Sequence, residues 1–127
     1  MTRQAISTSE APAALGPYSQ GIVSGDLVFC AGQLGLDPAT GVLADGIEAQ
    51  AERALRNLGA VLDAAGCSWS DVVKTTIFLA DIGMFNAVNA VYARFVTDPA
   101  PARSTFAVGE LPKSALVEIE AIARRNG

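Results

Sequence analysis

Apolar and polar positions change period several times along the chain, and each change marks an element. Residues 20–24 (QGIVS) and 27–31 (LVFCA) are short runs rich in strand-forming side chains. The Gly25–Asp26 pair between them predicts a tight hairpin. Residues 32–41 (GQLGLDPATG) read as a loop, with Pro38 and Gly41 in turn roles. The spacing then becomes helical: Ile47, Ala51, Ala54, Leu55, Leu58, Val61, Leu62 and Ala65 share one face. Asp45 and Glu48 have the spacing of a capping box, and Glu52 and Arg56 form an i,i+4 pair. Gly66 stands where a C-terminal cap belongs, so the helix is expected over 46–64.

β-Branched residues return at 71–79 (DVVKTTIFL) and predict a strand. Asp81 is placed to cap a second helix, with Met84 or Phe85, Val88, Val91, Tyr92 and Phe95 as its apolar stripe. Arg94 suits the negative end of that helix, and Pro99 and Pro101 forbid its continuation. Residues 103–108 (RSTFAV) and 115–125 (ALVEIEAIARR) read as the last two strands. The order β-β-α-β-α-β-β predicts an α+β fold, one domain over 1–127, with a mixed sheet carrying both helices on one face. Nothing in the pattern covers the other face.

Composition gives that uncovered face a meaning. Half of the 127 residues are hydrophobic and only 17% are charged, against about 25% in a typical soluble domain. A chain this short has much surface for its volume. The open face is therefore expected to pack against other copies in a homo-oligomer. The net charge is −4 and the nine Lys and Arg are scattered, which argues against a nucleic-acid partner. The first residues, MTRQAISTSE, have no apolar core of a signal peptide, and no apolar run approaches the ~18 residues of a membrane span. Neither secretion nor a membrane partner is expected, and a cytosolic setting is the expectation.

Missing residues narrow the chemistry. There is no histidine, which removes Ser-His-Asp and Cys-His mechanisms and His-ligated zinc. Cys30 and Cys67 form no C-x-x-C and read as two small buried thiols. No G-x-G-x-x-G, G-x-x-x-x-G-K-[ST] or G-x-S-x-G is present. What remains is at the C-terminal end. In the last strand Val117, Ile119, Ala121 and Ala123 share one face, while Leu116, Glu118, Glu120 and Ile122 share the other. A glutamate between apolar neighbours is either a surface residue of an edge strand or part of a half-apolar interface. In the second case burial raises its pKa and makes it a usable acid or base. Arg103 follows the stiff D-P-A-P-A and precedes Ser104 and Thr105. It is either a surface charge or, with nearby N–H donors, a carboxylate receptor. Residue types alone lead to a small oligomeric α+β domain with an anion pocket.

Several blocks go further. PARSTFAVGELPKSALVEIEAIA (101–123), APAALGPYSQG (11–21), AGQLGLDPATG (31–41), DVVKTTIFLAD (71–81) and FNAVNAVYARF (85–95) stand in order along nearly the whole chain. Together they resemble the RidA family (reactive intermediate deaminase, also YjgF or L-PSP). The resemblance implies a chorismate-mutase-like fold, assembled as a homotrimer with three clefts between subunits. It implies hydrolysis of enamines and imines, such as 2-aminoacrylate/2-iminopropanoate and 2-iminobutanoate, to 2-keto acids and ammonia, without metal or organic cofactor. Residue by residue, it makes Arg103 the grip on the substrate carboxylate and Glu118 the holder of the attacking water. Tyr18, Gly32 and Asn89 line the cleft, and Thr105 contributes its backbone N–H. Two positions depart from the family pattern: Ala31 replaces a serine, losing a hydroxyl, and Thr105 replaces a cysteine. The smaller Ala31 leaves open a pathway-specific deaminase for another enamine, of the aminomuconate type. A non-catalytic module that binds 2-keto acids through Arg103 also stays open. A ribonuclease role is disfavoured by the acidic chain without histidine.

Overall fold

The computed structural model describes residues 2–125. Six strands and two helices follow in the order β1 (Gln4–Ile6), β2 (Gly21–Ser24), β3 (Leu27–Leu34), α1 (Ile47–Ala64), β4 (Val72–Leu79), α2 (Phe85–Tyr92), β5 (Ala102–Ala107) and β6 (Val117–Arg124). All strands join one sheet in the order β1-β2-β3-β6-β4-β5. Every pairing is antiparallel except β4 with β5, which α2 connects as a crossover. The mixed α+β architecture expected from the sequence is present.

The core lies between the sheet and the helices. Ala51, Ala54, Leu55, Leu58, Val61, Leu62 and Ala65 of the α1 stripe are buried against Val28, Cys30, Ile77, Leu79, Val117, Ile119, Ala121 and Ala123. Val88, Val91 and Tyr92 of α2 join the same cluster, so both helices cover one face. The two cysteines are free and buried, as expected. Gly66 ends α1 at φ +79, with the Cys67 N–H donating to the Leu62 carbonyl at 2.8 Å and the Gly66 N–H to Asp63 at 3.0 Å.

Several boundaries differ from the sequence expectation, each for a local reason. The Asp45–Glu48 capping box does not form: Gly46 is the N-cap, at φ +88, a conformation open to glycine, and no side chain caps it. Strand β3 continues through Gly32, Gln33 and Leu34, where the sequence predicts a loop, by means of an irregularity in its pairing with β6 between Cys30 and Gln33. Asp81 accepts from the Gly83 N–H at 2.7 Å and caps the short 3-10 turn Ile82–Met84 that leads into α2. Helix α2 ends at Tyr92, so Arg94 lies beyond it and instead reaches Glu52 of α1 at 2.7 Å. The expected Glu52–Arg56 pair is present at 3.3 Å. The sequence does not predict strand β1: it is three residues long, with a burial pattern too shallow for any periodicity to show. The last strand, a candidate edge or surface strand by its sequence, is interior to the sheet, between β3 and β4.

Three buried amides tie the loops to this frame. Asn57 on α1 donates to the carbonyls of Leu34 and Leu36 at 3.0 and 2.8 Å. Gln50 accepts the Leu116 N–H at 2.8 Å, just before β6. Gly35 lies so close to α1 that a Cβ there would fall 2.6 Å from the Gln50 Cα. Gln20 accepts from the Thr8 N–H at 2.7 Å and donates to the Pro12 carbonyl at 2.8 Å, fastening the N-terminal loop beside β2.

On the open face, Ile22, Phe29 and Ile122 form one cross-strand row, and Glu118, Phe78 and Phe106 another. Phe78 and Phe106 meet edge to face, 5.3 Å between centroids. Phe29 and Phe106 remain 41% and 46% exposed, more than a fully packed sheet would leave.

Asn57→Ala leaves two buried carbonyls unpaired in the segment that ends β3. Chemical denaturation at fixed protein concentration is expected to show a loss of about 2–4 kcal/mol.

Candidate active site

The residues singled out from the sequence gather in two groups. The first is on the open side of the sheet. Glu118 of β6 leans over Gly32 of β3 so closely that a Cβ at position 32 would lie 2.8 Å from the Glu118 Cδ. Gly32 is therefore the floor on which the carboxylate rests. Tyr18, Leu15, Pro12, Leu34, Leu36 and Pro112 complete a hollow of about 150 Å³ with Glu118 in its wall. Tyr18 is exposed, and its hydroxyl accepts the Leu15 N–H at 3.0 Å, which folds the loop into a rim. Ala31 is half-buried next to Gly32, and its N–H donates to the Gln20 carbonyl at 2.9 Å.

Burial pushes the Glu118 carboxyl above the ordinary carboxylate range, and the neighbouring charge of Glu120 adds to the shift. Among the described residues no salt bridge reaches Glu118 to reverse it. A carboxyl in this state can accept and return a proton nearer to neutral pH. The thiols cannot compete as nucleophiles. Burial, with a smaller contribution from Cys67, pushes Cys30 up to about 12, so it stays protonated.

The second group is on the helix-covered side, at the edge of the sheet. Arg103 of β5 pairs in register with Thr75 of β4. Its Nη2 donates to Asn89 Oδ1 of α2 at 2.6 Å. The guanidinium carbon sits 4.9 Å from the Tyr92 ring centroid and 5.3 Å from that of Phe85. Thr105 is two residues along the same strand, on the same face, and its Oγ1 is buried without a partner. In the sequence, Phe85 and Tyr92 show only as the apolar stripe of α2. Their spacing from Asn89 on one helix is the available signal, but a helical aromatic stripe is equally a core stripe.

The two groups do not meet within one chain. Arg103 shares a face with Thr75 and Ile77, whereas Glu118 pairs with Phe78 on the other face. Tyr18, Gly32 and Glu118 are brought together, and so are Asn89 and Arg103, with the sheet between the sets. A larger groove, about 740 Å³, runs between α1 and α2 along Glu52, Arg53, Arg56 and Arg94. Its glutamate Glu52 is already paired with Arg56 and Arg94, and the groove holds none of the candidate groups. The smaller hollow at Glu118 is the chemically equipped one.

Comparison with known proteins shows what the chain is similar to. The family model described as Endoribonuclease L-PSP matches residues 8–125. The chain is 51% identical over 122 residues to the chloroplastic Reactive Intermediate Deaminase A of Arabidopsis thaliana, covering 95% of this chain and 65% of that protein's length. It is 45% identical over 124 residues to the human 2-iminobutanoate/2-iminopropanoate deaminase, covering 97% of this chain and 90% of that one. Among solved structures, TdcF of Escherichia coli with bound serine superposes at a TM-score of 0.92 and 41% identity, over 97% of this chain and 99% of the other.

The raised pKa of Glu118 has a signed consequence for stability. Between the ordinary glutamate value of about 4.3 and the raised folded value, the native state holds the proton that the unfolded chain releases. Stability therefore falls as pH rises through that window. Glu118→Gln is expected to flatten this slope and to make the protein more stable at neutral pH, as read by thermal denaturation from pH 4 to 8.

Proposed function

The chain belongs to the RidA/YjgF/L-PSP family, and on that footing we propose that it is a deaminase hydrolysing reactive enamine and imine intermediates. The substrates are 2-aminoacrylate in its 2-iminopropanoate form and 2-iminobutanoate, and the products are 2-keto acids and ammonia. The carrying observation is the Glu118 carboxyl, half-buried over Gly32 with its pKa raised, among the described residues the one charged group in a largely apolar wall.

Arg103 receives the substrate carboxylate through a bidentate pair, with Asn89 holding one guanidinium nitrogen. Ionised Glu118 accepts a proton from a water molecule as its oxygen adds to the C=N carbon. With the imine protonated, the π pair of that bond moves to nitrogen and a neutral carbinolamine forms. Glu118 then returns the proton to the amino nitrogen, an oxygen lone pair forms the C=O as the C–N bond breaks and ammonia leaves, and the hydroxyl proton passes through Glu118 to the ammonia, which departs as ammonium. Free imines hydrolyse unaided, so positioning and one proton relay suffice, each tenfold in rate requiring about 1.4 kcal/mol.

Arg103 and Glu118 face opposite sides of the sheet in one chain, so a complete site needs two copies. A homotrimer with three clefts, each taking Arg103, Asn89 and Thr105 from one subunit and Tyr18, Ala31, Gly32 and Glu118 from the next, answers that requirement. It would also cover Phe29 and Phe106, and it is consistent with the finer chorismate-mutase-like reading of the fold. A cytosolic setting belongs to the same proposal; among the described residues no helix is long and apolar enough to cross a membrane. The family description also names an endoribonuclease. A chain of net charge −4 without histidine offers neither a basic face for phosphates nor the usual acid–base pair, so imine hydrolysis is the preferred reading.

The test is to generate 2-iminopropanoate and 2-iminobutanoate in situ and follow keto-acid release. Wild type is expected to accelerate both, and Arg103→Ala and Glu118→Ala to lose the acceleration. Equal rates with and without wild type would refute the reading. Because the two side chains come from different subunits, refolding the two inactive variants together is expected to restore activity toward about a quarter of wild type. Activity that stays at the level of either variant alone would refute the shared cleft.

A further inference from the structure

Arg103 lies in a small frame of side chains, part of which has no place in the chemistry above. Tyr92 is 5% exposed, and Thr75 is fully buried. Their hydroxyls meet at 2.6 Å. The Tyr92 ring lies 4.9 Å from the Arg103 guanidinium carbon, and Phe85 approaches the same group at 5.3 Å. Thr75 is also the register partner of Arg103 across the parallel β4–β5 pair. The connection closes on itself: strand pairing links Arg103 to Thr75, a hydroxyl pair links Thr75 to Tyr92, and a cation–π contact links Tyr92 back to Arg103.

We propose that Thr75 and Tyr92 are positioning residues for the carboxylate-binding arginine, the hydroxyl pair pinning the aromatic plate on which the guanidinium lies. The inference rests on the deaminase reading of the site. A long arginine side chain loses rotamer freedom when it binds a ligand. A guanidinium already held over the Tyr92 ring, with one nitrogen taken by Asn89, has lost most of that freedom before the substrate arrives. A hydroxyl on Tyr92 is not needed to fill the core, because phenylalanine has the same ring. What the hydroxyl adds is a fixed ring position relative to the strand that carries Arg103. Neither residue touches the reacting carbon, so both act on substrate binding rather than on the chemical step.

The experiment compares wild type, Tyr92→Leu and the double variant Thr75→Val/Tyr92→Phe. The double variant removes both hydroxyls together and keeps the packed shape, so it holds the fold if Tyr92→Leu does not. Binding of pyruvate and of its neutral methyl ester is measured by calorimetry, alongside KM and kcat for 2-iminopropanoate. Tyr92→Leu is expected to raise KM and the pyruvate Kd about 3- to 30-fold. kcat is expected to stay within about twofold, since only binding common to ground and transition state is lost. The double variant shifts the same constants in the same direction by less, and affinity for the ester is unchanged in both. In an Arg103→Ala background, Tyr92→Leu should have no further effect on pyruvate binding.

A purely structural role predicts a lower melting temperature with unchanged Kd, or equal losses for acid and ester, and either result overturns the proposal. If wild type binds pyruvate and turns over the imine while the folded variants keep their affinity, only the positioning role falls. If wild type does neither, the deaminase reading falls and takes this inference with it.

Discussion

Strand β6 lies between β3 and β4, so each of its side chains has only two destinations. Val117, Ile119, Ala121 and Ala123 enter the core beneath the helices, and they are among its most buried members. The register that puts them there forces Glu118 and Glu120 onto the opposite face. No local choice of rotamer can move a carboxylate through the sheet. The position of the candidate base is thus a by-product of where the core needs its valine and isoleucine. A one-residue slip would bury both glutamates among Leu55, Leu58 and Ile77, at a cost that selects firmly against it.

The same two-sidedness governs how much is legible in the sequence. The α1 stripe and the β6 alternation involve eight or more positions in regular spacing, and the structure places them as expected. Strand β1 has three residues and little burial, so its existence depends on pairing with β2 and not on its own pattern. The continuation of β3 through Gly32 is hidden for another reason. Glycine in a run rich in turn residues reads as loop, whereas here its missing side chain makes room for Glu118. That requirement is tertiary, and nothing within several residues of Gly32 announces it. The failed Asp45 cap is similar: the spacing to Glu48 is right, but the chain enters the helix through Gly46 at a positive φ that an Asp-led box does not use.

The candidate site is legible in its residue types and its family resemblance, and illegible in its division. Spacing suggests Arg103 and Glu118 separately, one after a proline-stiffened turn and one between apolar neighbours. Only the sheet register shows that they face away from each other in a single chain. The buried amides Asn57, Gln50 and Gln20 carry no signal in the sequence. An isolated Asn or Gln, on a helix like Asn57 and Gln50 or in a loop like Gln20, is ordinarily a surface residue, and its value here comes from backbone groups far away in sequence. They hold the β3 end, the start of β6 and the N-terminal loop, which are the segments that present Gly32, Glu118 and Tyr18.

A single chain with an open apolar face and a raised-pKa glutamate on it is in an unstable compromise. Phe29, Ile122, Phe78 and Phe106 favour covering that face, since each square ångström of apolar surface removed from water contributes about 25 cal/mol. Glu118 opposes full desolvation while it is ionised, because a buried charge without a partner is expensive. In the proposed trimer the two tendencies are reconciled by what the neighbouring subunit brings to the cleft. There the neighbour's Arg103 would bring a positive charge toward Glu118, while the rest of its surface would cover the phenylalanines.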